Sequence, residues 1–225
     1  MVTKLIIRTL LVYAAMAALL FIAAGTWRWL QAWIFIAEMT VCGLAVGLWL
    51  ARHDPGLLEE RLGAPIQRGQ EPWDRFFMAA IVVLWIAWMV LMALDAVRFR
   101  LSQLPVWAQA IGALLIPLSI YVSFLTFREN TFAAPVLKIQ RERGQTVVTT
   151  GPYSYVRHPM YAGGILMFLG IPLLLGSAYG LALVPVWIVL LSFRIPIEER
   201  MLKEKLAGYE EYARRVRYRL VPGIW

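Results

Sequence analysis

The sequence predicts an all-α fold, a polytopic integral membrane bundle of about six transmembrane helices, on three observations. The chain is 60% hydrophobic and 16% charged, with a mean hydropathy of +0.65, far more apolar than a soluble domain. Six apolar stretches have or approach the ~20 residues needed to cross a hydrocarbon core of ~30 Å. The basic residues are sorted between alternate loops, as the resistance of Lys and Arg to translocation requires.

The first stretch, residues 5–24, is longer than the ~7–15 apolar residues of a cleaved signal peptide and reads as a retained helix. Residues 29–50, 76–94 and 106–127 supply three more crossings. Residues 162–175 and 179–193 are shorter. Gly176, Ser177 and Ala178 alone separate them and no charge falls between residues 162 and 193, so they read as a tight helical hairpin crossing twice; one bent helix is the competing reading. Six crossings put nineteen of the 22 Lys and Arg on one side and only Arg28, Arg98 and Arg100 on the other. Counting the hairpin as one crossing gives eleven against eleven. Six is therefore preferred, with both ends of the chain and the loop holding Arg157 on the cytoplasmic side.

That distribution also accounts for the net charge of +8. The cations are spread by topology over four segments, without the single basic patch that a nucleic-acid partner requires. The one cysteine, Cys42, lies in an apolar run, which excludes a disulfide framework and a thiolate metal site. Pro55, Gly56, Gly63, Pro65, Gly69 and Pro72 mark the second loop as irregular. The whole chain, 1–225, reads as one membrane domain. Residues 1–127 form four helices; residues 128–225 form a polar loop, the hairpin and a C-terminal helix. That last helix is expected over residues 197–217, with Ile197, Met201, Leu202 and Leu206 as a partial apolar stripe lying along the membrane surface and Gly208 as a break.

Residues that carry chemistry cluster in the fourth loop and the tail. Thr146, Val147, Val148, Thr149 and Thr150 form a β-branched run broken by Gly151 and Pro152, whose backbone is extended and whose amides are free for a ligand. Arg157, His158, Pro159 and Tyr161 follow. His158, before proline, is held out of helical geometry, and Pro159 suits the first turn of a helix. Tyr155 reads as an interfacial aromatic and His53 as solvated. Beyond the hairpin, Arg194 stands four residues before the pair Glu198 and Glu199; taken alone, that spacing is an ordinary surface ion pair worth ~0–1 kcal/mol. Both clusters emerge on the same side of the hairpin, where they can enclose a polar, cationic ligand. Glu38 is the one carboxylate deep in a crossing and is expected to face the bundle and find a partner, or to be protonated. No metal-binding histidine pair, phosphate loop or nucleophile elbow occurs.

At these residues the chain resembles the isoprenylcysteine carboxyl methyltransferase family, within the membrane methyltransferases that include the phospholipid N-methyltransferases. The resemblance covers residues 128–225. It rests on Gly151-x-Tyr153, Arg157-His158-Pro159-x-Tyr161-x-Gly163, Arg194 with Glu198-Glu199-x-x-Leu202, and Gly208-Tyr209-x-x-Tyr212. It implies an S-adenosylmethionine-dependent enzyme that methylates the carboxylate of a prenylated cysteine or a similar lipophilic acceptor entering from the bilayer. Gln145, Thr146, Val147, Val148, Tyr153, His158, Pro159, Met160, Tyr161 and Glu198 are implied to contact the cofactor, and Arg194 to face the acceptor carboxylate as the catalytic and substrate-binding residue. Gln145 stands where eukaryotic members carry histidine. No metal is implied. Methylation of a phospholipid amine is an alternative, and so is an NADPH-dependent sterol-reductase-like activity, since those enzymes share an Arg-His-Pro segment and an ending like Tyr218-Arg219-Leu220-Val221-Pro222.

Overall fold

The computed structural model describes every residue except Pro65 and Arg68, so those two members of the second loop lie outside the described residues. The expected crossings are all helices: α1 (Val2–Ala24), α2 (Leu30–His53), α4 (Pro72–Ala93), α5 (Val106–Glu129), α6 (Pro159–Leu175) and α8 (Val184–Lys205), with short helices α3 (Pro55–Arg61), α7 (Ala178–Ala182) and α9 (Tyr209–Arg215) between or after them. Five helical spans are long and apolar enough to cross a bilayer. α6 has 17 residues; at 1.5 Å per residue it reaches ~25 Å, slightly less than the hydrocarbon core.

α6 packs most closely on α5, and small residues allow it. A Cβ on Gly112 would strike the backbone of α6, meeting Leu174 N and, at 2.6 Å, Gly170 O. Ser119 Oγ donates to Gly163 O at 2.7 Å across the same interface. Close backbone approach, supplemented by polar contacts, is how helices associate where apolar burial gives no advantage over lipid. The hairpin turn forms where expected: Gly176 is left-handed at φ 82° and ends α6, and Ser177 Oγ caps α7 by accepting from Gly180 N at 2.9 Å.

Asp95 anchors that turn, a role unforeseen in the sequence. It sits in a π-helical turn, Leu94–Arg98, that prolongs α4. Its Oδ2 accepts from Ser102 Oγ and Ser177 Oγ, each at 2.6 Å, and from Tyr179 N at 3.2 Å. The core of this end is aromatic, with Trp88 and Trp187 rings 5.3 Å apart and Trp88 Nε1 donating to Gly180 O at 2.9 Å. At the opposite end Leu5, Leu50, Leu57, Leu58, Phe127 and Ala133 form a second cluster that holds α3 beneath the helix ends.

Two expectations are corrected. The second loop is not wholly irregular: Asp54 Oδ1 caps α3 by accepting from Leu57 N at 2.9 Å, with Pro55 in its first turn. The C-terminal helix does not start afresh after Pro196 along the membrane surface. α8 runs unbroken through Pro196 to Lys205, because proline costs one backbone hydrogen bond that tertiary packing replaces, and the break falls at left-handed Gly208, φ 84°. Its stripe faces inward instead, with Met201 and Leu206 buried, while Ile197 is exposed. Glu38 is half-buried, and its Oε2 has no hydrogen-bond partner among the described residues.

Candidate active site

The fourth loop and the tail meet over the mouth of the hairpin and enclose a cavity of about 840 Å³, counted with its open mouth. Local conformation explains how the loop reaches it. Gly144 and Gly151, at φ 63° and 55°, bracket residues 145–150 with left-handed turns. At Gly151 a side chain is doubly excluded, by that φ and by Glu129 Cγ, which lies 2.5 Å from where a β-carbon would stand. The amides of Thr146, Val147 and Val148 donate to no other described residue, so the stretch presents both unpaired donors and β-branched side chains. His158 then stands at the N-cap position of α6, without a side-chain capping bond, and Pro159 at its first position.

The structure brings every one of the expected residues to this cavity. Gln145, Thr146, Val147, Val148 and Tyr153 line it from the loop, His158, Pro159, Met160 and Tyr161 from the start of α6, and Arg194 and Glu198 from α8. Tyr155, read as interfacial, is 71% exposed and outside it. His53 is exposed and stacks on Trp49. The tail adds Leu202, Leu206, Tyr209 and Tyr212, so the stripe of α8 forms an apolar wall of the cavity. Tyr212 Oη donates to Tyr153 O at 2.8 Å, and Asn130 Nδ2 donates to Tyr153 Oη at 2.7 Å. Burial pushes the Tyr153 and Tyr212 phenols up, keeping them protonated.

A buried ionic clasp locks loop to tail. Glu199 Oε1 accepts from Arg157 Nε at 2.6 Å and lies 3.2 Å from His158 Nε2, while its Oε2 accepts from Arg219 Nε at 3.2 Å. Arg157 Nη1 also donates to Val216 O at 2.7 Å and Arg217 O at 2.9 Å. The amides of Arg157 and His158 donate to the carbonyls of Tyr218 and Arg219, both at 2.9 Å. Glu199 is thus not solvated, as adjacent carboxylates usually are, but holds the wall of the cavity together.

Arg194 and Glu198 differ in how they are balanced. They do not pair with each other: Arg194 Nη2 meets Asp74 Oδ1 at 3.0 Å and donates to Pro135 O at 3.3 Å. Its Nε, also buried, has no partner among the described residues. Asp74 is fully buried in the first turn of α4 and its Oδ2 accepts from Gln70 Nε2 at 2.8 Å and Leu137 N at 2.9 Å. Sequence reading missed it because α4 begins a turn before the apolar run, where an Asp looks like loop. Glu198 Oε2 accepts from Tyr161 Oη at 2.5 Å, and no cation lies within ion-pairing distance of it among the described residues. His158 stacks on Tyr161 with centroids 5.5 Å apart.

A phospholipid methyltransferase family profile matches residues 107–208, which run from α5 to the break before α9. Protein-S-isoprenylcysteine O-methyltransferase B of Arabidopsis thaliana is 40% identical over 85 residues, covering 36% of this chain and 42% of that protein. Protein-S-isoprenylcysteine O-methyltransferase of Schizosaccharomyces pombe is 28% identical over 186 residues, covering 71% of this chain and 76% of that protein. The helical bundle, with a polar cavity at one end of a terminal hairpin, is that of an integral membrane protein. Over these segments the chain is similar to the phospholipid methyltransferases and to the two isoprenylcysteine methyltransferases.

Proposed function

We propose that this protein transfers a methyl group from S-adenosylmethionine to the carboxylate of a prenylated cysteine or a similarly lipophilic acid that enters from the bilayer. The observation carrying this reading is that eleven residues from three separate segments line one cavity, among them a carboxylate without an ion-pair partner among the described residues and an arginine with an unsatisfied donor. The cavity suits the cofactor's chemistry. Glu198 offers a negative group to a cationic ligand, Val147, Val148, Leu202 and Leu206 offer apolar surface to an adenine, and the free amides of residues 146–148 offer donors.

S-adenosylmethionine supplies an electrophilic methyl on a sulfonium; as the S–CH₃ bond breaks and the O–CH₃ bond forms, a thioether and an ester result and no proton is released. An acceptor carboxylate is already ionised at pH 7, so no general base is required. Arg194 orients that carboxylate through its Nε, and the closed apolar wall strips water from it, which together raise the rate by alignment and desolvation. Amine methylation would require a proton acceptor, and Glu199 and His158 are engaged in the clasp. NADPH would bring several phosphate charges, whereas Arg157, Arg194 and Lys138 at the cavity are each paired with a carboxylate. We place the cavity and both ends of the chain on the cytoplasmic side, on the distribution of Lys and Arg.

Isothermal titration of the purified protein with S-adenosylmethionine and with NADPH tests the cofactor. Methyl transfer to N-acetyl-S-farnesyl-L-cysteine, compared with phosphatidylethanolamine, tests the acceptor. Binding of NADPH without S-adenosylmethionine would overturn the reading, and transfer to the amine alone would move it to the phospholipid class.

A further inference from the structure

A second chamber of about 900 Å³, counted with its open mouth, lies in front of α2 between α1 and α5, and shares no lining residue with the cofactor cavity. Its walls are apolar along the bundle, with Leu5, Met39, Val46, Leu50, Ile120 and Phe127. Gly43 on α2 gives it width, while Leu5 packs directly against Gly47. From Met39 to Leu50 the slot follows α2 for eleven residues, ~16 Å, the scale of one acyl chain.

Its end nearest the cofactor cavity is charged. Arg61, on α3, lies across the Phe127 ring at 4.0 Å and donates through Nη1 to Ala133 O at 2.9 Å, with Met160 Sδ at 3.8 Å. Ala133 and Met160 line the cofactor cavity, so they form the partition between the two chambers. No carboxylate pairs with Arg61 among the described residues, and its Nε and Nη2 make no hydrogen bond there. Burial pushes the guanidinium down to about 10, which reflects how incompletely its charge is compensated. A cation kept at the end of an apolar slot needs a counter-charge carried by something with an apolar tail.

We propose that this slot is a binding site for an anionic membrane phospholipid, with one acyl chain along α2 between α1 and α5 and the phosphate on Arg61. An acceptor's reacting carboxylate does not fit the same description, because an acid on Arg61 lies behind Met160, outside the cavity that holds Arg194 and Glu198. The lipid braces the partition from behind and so supports the start of α6.

Native mass spectrometry of the full chain, delipidated in detergent and titrated with phosphatidylglycerol or phosphatidylcholine, tests the site. Phosphatidylglycerol is expected to bind at least tenfold more tightly than phosphatidylcholine. Arg61→Met removes that preference, Arg61→Lys retains part of it, and Gly43→Leu weakens both lipids. A Cβ at Gly43 meets only the Tyr13 ring and hydroxyl, nearest at an ordinary 3.6 Å, so the first carbon of Gly43→Leu fits and the rest enters the slot; with a melting temperature matching the parent protein it serves if Arg61→Met does not fold, and Gly43→Ala, which adds only that Cβ, is expected to bind both lipids as the parent does. An unchanged preference in folded Arg61→Met, or undiminished binding in Gly43→Leu, overturns the proposal. So does stoichiometric displacement of phosphatidylglycerol by N-acetyl-S-farnesyl-L-cysteine, which would give the slot to the acceptor. These lipid measurements do not depend on catalysis, so they stand or fall separately from the methyltransferase reading.

Discussion

Two carboxylates at the cavity make opposite contributions, and substitution separates them. Glu198 faces the cavity without a counter-ion, so Glu198→Gln is expected to weaken S-adenosylmethionine at least tenfold while leaving the unfolding temperature nearly unchanged; titration calorimetry beside a melting curve reads both. Glu199 is surrounded by Arg157, His158 and Arg219. Removing it leaves buried cations uncompensated, so Glu199→Gln is expected to cost about 3 kcal/mol of stability in a denaturation series. Asp74 acts through Arg194. With Asp74→Asn the guanidinium loses its ionic partner but stays beside Pro135 O. The expected result is a five- to tenfold rise in KM for the acid acceptor at unchanged cofactor affinity, and equal losses in both would show that Asp74 merely holds the fold. The sequence could not single out Asp74, since one Asp between Trp73 and Arg75, ahead of the apolar run, looks like loop; only the fold, which brings α4 against residues 135–137, reveals its partner.

Among the elements, the α5 and α6 pair is the least tolerant contact. Gly112 meets the α6 backbone so closely that no side-chain movement can make room. Gly112→Ala is therefore expected to destabilise the bundle by about 1–3 kcal/mol, seen as a lowered melting temperature in detergent, with the cofactor cavity opening as α6 shifts. Helix positions were legible in the sequence because twenty apolar residues have few other ways to satisfy their backbone in lipid. The true ends of the helices were not. Apolarity stops at the membrane boundary, but hydrogen bonding continues: α4 starts at Pro72 and α8 persists to Lys205. Those extra turns carry Asp74 and the inward-facing Met201 and Leu202, which is why the surface-lying helix expected after Pro196 proved to be the cavity wall instead. Glu38, deep in α2, was expected to find a partner or to be protonated, and its carboxylate oxygen Oε2 has no partner among the described residues; periodicity alone could not choose between the two, because it cannot say what faces a residue across helices that are distant in sequence.

For the whole molecule, the sorting of cations predicts sidedness that labelling can measure. In a Cys42→Ala background, cysteines at the exposed positions Tyr155 and Tyr218 are expected to react with an impermeant maleimide from one side of sealed vesicles, and a cysteine at exposed Trp27 only from the other. Tyr155 and Trp27 labelled from the same side would refute the six-crossing topology. The cavity's membership was readable in advance to the extent that short motifs in the loop, at the start of α6 and after Arg194 were held in common with a known family. Their convergence was not contained in any one motif. It follows from the hairpin, whose two helices return the chain to the end of the bundle that it left.

The clasp between residues 157–158 and 218–219 has a consequence for biosynthesis. The loop emerges from the ribosome some sixty residues before its partner segment, so throughout insertion of the hairpin it has nothing to close against. A nascent chain that has completed α8 but not Arg219 lacks the carbonyls that hold residues 157–158, so this wall of the cavity is expected to latch only after the last helix of the hairpin has been made.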